Sequence, residues 1–199
     1  MTTVSRKLTL TDISDQRAYE RKRPGYRTQV LELRRRRRVA IGTVITVAFE
    51  SRETIRYQIQ EMARAERLGT DEDIQVELDT YNPLVPGPGQ LCATLFLELT
   101  NDEQMRVWLP QLVGIERHVV IRLADGAEIR SSPESQHATQ LTRVHATSAV
   151  HYITFAFDDP QRDELAAHGA TLLIDHPAYR EEAELGDLTV RELVADLMP

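Results

Sequence analysis

The chain has 199 residues, of which 41% are hydrophobic and 28% are charged, and it contains a single cysteine. This apolar content is too high for an intrinsically disordered chain, and no run of about 18 apolar residues is present to cross a membrane. One cysteine excludes an intrachain disulfide, a zinc ribbon and an iron–sulfur cluster held by this chain alone. The basic start leads into no apolar segment, so we expect a cytoplasmic protein with no membrane partner.

Periodicity and capping residues predict a series of helices and strands along the chain. The predicted helices are 12–23, 26–38, 51–68, 71–80, 101–112, one that starts at 159, and 187–198. The predicted strands are 39–49 (one strand, or a hairpin folded about 42–43), 91–99, 118–124, 127–130, 150–158 and, as the last, 170–174. Pro24-Gly25 is expected to end the first helix, because proline lacks the N–H that a helix interior needs. Residues 131–147 are polar and uneven and are expected to form a loop.

These elements predict an α+β fold. The N-terminal part is helical, and the later strands and helices interleave. Asp125-Gly126 between two strands favours a tight hairpin, which argues for a mainly antiparallel sheet with flanking helices. We expect a single domain over residues 1–199. A candidate subdomain boundary lies in the Pro/Gly loop 82–90, where three prolines exclude both a helix and a central strand.

Charge divides the sequence into two unequal parts. Residues 1–38 carry a net charge of +8, and residues 39–199 carry −15. The basic part ends in a run of arginines that forms a candidate anion or partner patch: Arg34, Arg35, Arg36, Arg37 and Arg38. Such a run attracts phosphate, but a helix end can also splay the side chains into internal ion pairs or into solvent, which is the preferred interpretation. The acidic remainder and the lack of an aromatic platform argue against nucleic acid as the partner.

Three histidines are candidate metal ligands. His118 begins a predicted strand, His151 lies on the apolar face of another, and His176 follows a third. Neutral imidazole is a common metal ligand, although no local His-x-x-x-His or Glu-x-x-His spacing links the three. The alternative is that His151 is a hydrogen-bonded core residue and that His176 is bonded to nearby backbone. Polar residues around His176 complete a compact group suited to an anion, a metal or a proton transfer; these neighbours are Asp175, Tyr179 and Arg180.

Two polar residues of the predicted helix 51–68 extend this candidate polar or ligand site. Gln58 and Glu61 are three positions apart, so they share a helix face beside the apolar stripe. If that face packs on the sheet, both side chains need buried partners. The alternative is that they form the polar border of an amphipathic helix. No Walker, Rossmann or Gly-x-Ser-x-Gly motif is present, so the sequence identifies neither a reaction nor a cofactor.

Several segments together resemble a known family. They are Arg34–Gly42, Phe49–Met62 with Arg64–Arg67, Glu77–Leu84, Ser148–Tyr152 and Ile174–Tyr179. They resemble a bacterial family that is described as a domain of unknown function, and the resemblance covers nearly the whole chain. The resemblance implies genes encoded beside rubrerythrin-like and iron–sulfur oxidoreductase proteins, and hence an accessory role in a redox pathway.

Three functions follow as hypotheses. The leading one is an accessory protein that docks an iron–sulfur or rubrerythrin-like redox partner through its charge-polarised surface and the loop from Asn82 to Gly89. The alternative is a metal-binding or small-acid-binding protein or enzyme with a site centred on His151 and His176. The third is nucleic-acid binding through Arg34–Arg38.

Overall fold

A computed structural model describes residues 6–134 and 146–198 of the chain. Within these residues there are six α-helices and nine β-strands. The helices are α1 Gln16–Arg36, α2 Arg52–Glu66, α3 Asp71–Tyr81, α4 Asp102–Gln111, α5 Asp159–His168 and α6 Asp187–Leu197. The strands are β1 Arg38–Ile41, β2 Ile45–Glu50, β3 Gln90–Leu97, β4 Val119–Leu123, β5 Glu128–Arg130, β6 Ser132–Pro133, β7 Val150–Ala156, β8 Ala170–His176 and β9 Tyr179–Glu184. The predicted α+β class is confirmed.

The strands form two antiparallel sheets. Sheet A has the order β1-β2-β3-β7-β6, and sheet B has the order β5-β4-β8-β9. The chain passes from sheet B to sheet A between β5 and β6 through one residue, Ser131. The Ser131 hydroxyl donates to the carbonyl of Glu116 at 2.9 Å and accepts from the amide of Val119 at 3.2 Å. These bonds fix the point at which the two sheets join.

Two apolar clusters stabilise the fold. The larger one draws on both sheets and on α4, α5 and α6, and it includes the inward-facing residues Val47, Leu95 and Ile121. The smaller cluster joins α2, α3 and the N-terminal segment, and Tyr152 of β7 packs against it. Since side chains alternate along a strand, the two faces of sheet A serve different clusters. One face belongs to the large core, and the other lies under the helical layer α1–α3.

The element predictions hold for the hairpin and for the helix that follows it. Residues 39–49 form the β1–β2 hairpin, whose turn includes Gly42 at a φ of +64°. Ser51 caps α2 as expected, because its side chain accepts from the amide of Thr54. The strand predicted over 150–158 is β7, and its buried residues alternate as expected.

The predicted helix break at Pro24-Gly25 is wrong. α1 continues through Pro24, which lies on the exposed side of the helix. Tyr19 and Val30, on either side of the proline, are both buried, so burial at both ends outweighs the lost hydrogen bond. Tyr26 also stacks edge to face on Tyr19 and on Tyr57 of α2.

The segment 170–174 is not the last strand. β8 extends to His176, and after a two-residue turn the chain returns as β9. The prediction missed β9 because glutamates occupy three of its six positions, and acidic residues disfavour strands. The exposed Glu181, Glu182 and Glu184 lie on an edge strand of sheet B, where solvent solvates their charge.

Residues 82–90 connect the helical layer to β3. The segment contains a short 3-10 helix, Asn82–Leu84, and both Leu84 and Val85 are buried in the smaller apolar cluster. The subdomain boundary expected there stays a prediction, as does the single-domain assignment. The predicted loop 131–147 contains β6, and its residues 135–145 lie outside the described part of the chain. Among the described helices, none has the length and apolar character needed to cross a membrane.

Candidate functional site

The five arginines at the end of α1 have different surroundings. Four of them pair with carboxylates: Arg35 with Glu32, Arg36 with Glu192, Arg37 with Glu192 and Asp196, and Arg38 with Glu98. Arg34 is different, since no carboxylate of the described residues lies within 4.0 Å of its guanidinium group. The internal pairing preferred from the sequence therefore describes four of the five side chains.

Arg34 lines a cavity between the helical layer and the outer face of sheet A. The cavity has a volume of about 330 Å³. Its sheet side is made by two cross-strand rows, Ala48–Thr94–Tyr152 and Phe96–Val150, which the strand register places side by side. Its helix side is made by Arg34, Ile55, Gln58, Tyr81 and Leu84. The small side chains of Ala48 and Thr94 leave room that the helices above do not fill.

Two arginines of the cavity lining each stack on an aromatic ring. The Arg34 guanidinium carbon lies 5.2 Å from the centre of the Tyr57 ring, and that of Arg38 lies 5.3 Å from the centre of the Phe96 ring. Arg34 also donates a long hydrogen bond of 3.4 Å to the side-chain oxygen of Gln58. Stacking on a ring holds a guanidinium in place while its N–H groups remain able to bind a carboxylate.

A carboxylate also lines the cavity. One oxygen of Glu50 accepts from the hydroxyl of Thr94 at 2.7 Å, and the other accepts from the hydroxyl of Thr54 at 2.6 Å. Glu50 forms no ion pair with any cation of the described residues. The cavity thus presents a cation and an anion that are both held by neutral partners.

A larger depression of about 560 Å³ lies beside the end of α5 and the start of α6. Half of its lining residues are exposed, including His168, Glu184 and Arg191. Among the described residues, its lining includes no Phe, Tyr or Trp. The smaller cavity is the better candidate, because enclosed apolar walls with a few oriented polar groups are typical of ligand sites.

The predicted group around His176 separates into structural contacts. The imidazole of His176 donates from Nε2 to the carbonyl of Val113 and accepts at Nδ1 from the amide of Ala178, each at 3.2 Å. Both ring nitrogens are therefore occupied. The hydroxyl of Tyr179 donates to the carbonyl of Ile41 at 2.8 Å, and the exposed Arg180 lies on β9. These contacts anchor the β8–β9 turn.

Asp175 belongs to a surface network with His118. Its carboxylate accepts from Arg130 at 2.7 Å and lies 2.9 Å from Nδ1 of His118. The Arg130 guanidinium lowers the pKa of Asp175, and His118 adds to that effect. The His118 and His176 rings meet edge to face with centres 4.9 Å apart. Two of the three candidate histidines are thus neighbours.

His151 lies apart from these two, on β7. Its Nε2 is 2.7 Å from the hydroxyl of Thr147 and 3.0 Å from the carbonyl of Ser148, and its Nδ1 is 3.9 Å from the carboxylate of Glu116. Burial lowers the pKa of His151, and Glu116 opposes that shift. Residues 6–134 and 146–198 contain no group of three or more His, Cys, Asp or Glu side chains placed to hold one metal ion.

The two polar residues of α2 have separate partners. Gln58 lines the cavity beside Arg34, whereas Glu61 accepts from Arg23 at 2.8 Å and from the hydroxyl of Tyr19 at 2.6 Å. The hydrogen bond from Arg23 lowers the pKa of Glu61 to about 2. Glu61 therefore fastens α2 to α1, and only Gln58 of this predicted pair lines the cavity.

A family model described as a protein of unknown function (DUF3501) matches residues 7–197. The chain belongs to this family. The resemblance to a family of unknown function is thereby confirmed. A protein from Burkholderia pseudomallei K96243, described as a novel protein of unknown function, has a crystal structure with 37% sequence identity and a TM-score of 0.86. That similarity covers 96% of this chain and 99% of the other. A comparison with curated proteins finds no match.

Sequence reasoning missed Glu50, Thr94, Phe96, Tyr81 and Tyr152 as members of one site. For Glu50, Thr94 and Phe96, the available signal is the alternation of side chains along a strand. In β2 and β3 the residues that do not face the large core share the other face, and the register then places Glu50 near Thr94. Register is a long-range property, and the sequence alone does not supply it.

Proposed function

We propose that this protein binds a small organic acid with an apolar body in the cavity beneath α1–α3. The observation that carries the proposal is Arg34, a half-buried cation that lacks an acidic partner among the described residues and lines an aromatic cavity. A single available guanidinium matches a single carboxylate, and a doubly charged phosphate would be repelled by Glu50. The volume suits a ligand with one ring rather than a nucleotide.

Phenylacetate is a suitable first probe, because it combines one carboxylate with one ring. Isothermal titration calorimetry should detect saturable binding to the full chain. Arg34→Gln should weaken that binding about tenfold or more, since a hydrogen bond to a charged group contributes about 1.5–3 kcal/mol. Arg35→Gln is the matched control, because Arg35 is exposed and pairs with Glu32. Equal affinity in both variants, or no binding by the wild type, contradicts the proposal.

Docking of an iron–sulfur or rubrerythrin-like partner in the cytoplasm is retained as a second proposal from the family resemblance. The acidic surface strand β9 favours a basic partner surface, whereas pairing of Arg35–Arg38 leaves less free positive charge than the sequence implied. Association measured by pull-down should then weaken with salt. Association that is absent at low salt contradicts it.

A further inference from the structure

Glu50 can accept a hydrogen bond from a donor on the ligand of this cavity. This inference rests on the proposed function. An ionised carboxylate only accepts hydrogen bonds, and each oxygen has room for more than one donor. Thr54 and Thr94 supply one hydroxyl to each oxygen of Glu50. Capacity for a further donor therefore remains on a group that lines the cavity.

Two spacings along the backbone relate Glu50 to the arginines that line the cavity. On α2, Thr54 contacts Glu50 and Gln58 contacts Arg34, and these two residues are four positions apart, a rise of about 6 Å. On β3, Thr94 contacts Glu50 and Phe96 carries Arg38, and these two are two strand residues apart, about 7 Å. The first spacing relates Glu50 to Arg34 and the second relates it to Arg38, and each is roughly the length of one six-membered ring with its substituents.

We propose that the ligand is a monocarboxylic acid that carries a hydrogen-bond donor, a hydroxyl or an amino group, at the far end of its apolar body. The carboxylate binds Arg34, the ring or chain lies between Tyr81, Tyr152 and the sheet, and the distal donor binds Glu50. A ligand without the donor would displace water from Glu50 and would not replace the hydrogen bonds that the water donates. Sites built in this way reject the analogue that lacks the donor.

Three probes of nearly equal size separate the two ends. They are 4-hydroxyphenylacetate, which has both groups; phenylacetate, which lacks the donor; and 2-(4-hydroxyphenyl)ethanol, which lacks the acid. With the wild-type chain, calorimetry should give a dissociation constant for 4-hydroxyphenylacetate at least tenfold below that of phenylacetate. The alcohol should bind more weakly than 4-hydroxyphenylacetate by a similar factor.

Variants assign each preference to a residue. Glu50→Gln should reduce the preference for 4-hydroxyphenylacetate over phenylacetate to threefold or less, whereas Arg34→Gln should weaken both acids and leave their ratio unchanged. Glu53→Gln is the control, because Glu53 lies outside the cavity lining and pairs with Arg56. If Glu50→Gln does not fold, Thr94→Val removes the hydroxyl that orients Glu50 and should also reduce the ratio.

The outcomes distinguish the inference from the proposed function. Binding of phenylacetate that depends on Arg34, with no gain from the hydroxyl group in the wild type, overturns the bifunctional ligand and leaves the acid-binding function standing. A hydroxyl preference that Glu50→Gln and Thr94→Val both leave intact also overturns it. Absence of binding by both acids overturns the two proposals together.

Discussion

Replacement of Arg37 by leucine tests how the end of α1 is held. The Arg37 side chain is only 2% exposed, and it forms ion pairs with Glu192 and Asp196 of α6. Its Nε donates to the carbonyl of Phe49 and its Nη2 to the carbonyl of Glu50, each at 3.0 Å. One guanidinium thus joins α1, the end of β2 and α6.

Arg37→Leu removes the cation. Glu192 and Asp196 then each lose an ion pair, and the carbonyls of Phe49 and Glu50 each lose a hydrogen-bond donor. Breaking a buried ion pair in this way costs about 3–5 kcal/mol, which lowers the Tm of a chain of this size by about 10 °C. Burial already raises the pKa of Asp196. Loss of Arg37 raises that pKa further, so Asp196 takes up a proton more readily and the stability deficit shrinks as the pH falls from 7 towards 4.

Urea denaturation followed by circular dichroism at pH 7 and at pH 5 measures both effects. Arg35→Leu is the control, since its exposed pair with Glu32 contributes at most about 1 kcal/mol. The reasoning is refuted if the two variants lose the same stability at pH 7. A deficit of Arg37→Leu that grows towards acid would refute the account of Asp196.

Three further predictions concern other parts of the fold. Glu61→Gln should lower the free energy of unfolding by about 2 kcal/mol at pH 7, because the charged hydrogen bonds from Arg23 are lost. Since the native pKa of Glu61 is lowered to about 2, the stabilisation by this carboxylate is complete above about pH 5 and disappears towards pH 2. Urea titrations should therefore show a smaller difference between the variant and the wild type at pH 3 than at pH 7. Tyr179→Phe should cost about 1–3 kcal/mol by leaving the buried carbonyl of Ile41 without its donor, and an unchanged Tm would contradict that role. Cys92 is buried with its pKa raised to about 12, so it should not react with Ellman's reagent at pH 8 until urea unfolds the chain; rapid native reaction would contradict its burial.

The sequence predicts elements well where local signals agree with tertiary packing. Ser51 and Asn101 mark the starts of α2 and α4, because an N-cap depends on residues within one turn. Pro24 misleads because burial of Tyr19 and Val30 acts over distances that local propensity does not include. The acidic β9 is missed for the same reason, since pairing with β8 stabilises it.

The candidate site is less predictable than the fold. Arg34, Arg38 and Gln58 are identified from composition and helix periodicity, and all three line the cavity. Glu50, the carboxylate of the cavity lining, is not identified from the sequence, because its position beside Thr94 depends on the register of β2 and β3. Histidine and acidic residues in a sequence suggest a ligand site, but both ring nitrogens of His176 form hydrogen bonds with backbone groups.

The glutamates of β9 have a consequence for how copies of this chain meet. An edge strand offers unpaired backbone groups to any strand that approaches, and the apolar strand β8 beside β9 would favour such pairing. A second β9 that paired in parallel and in register with the first would place Glu181, Glu182 and Glu184 against the same residues of its neighbour. Like charges at close range oppose that contact, so these glutamates disfavour the parallel addition of a second sheet B at this edge.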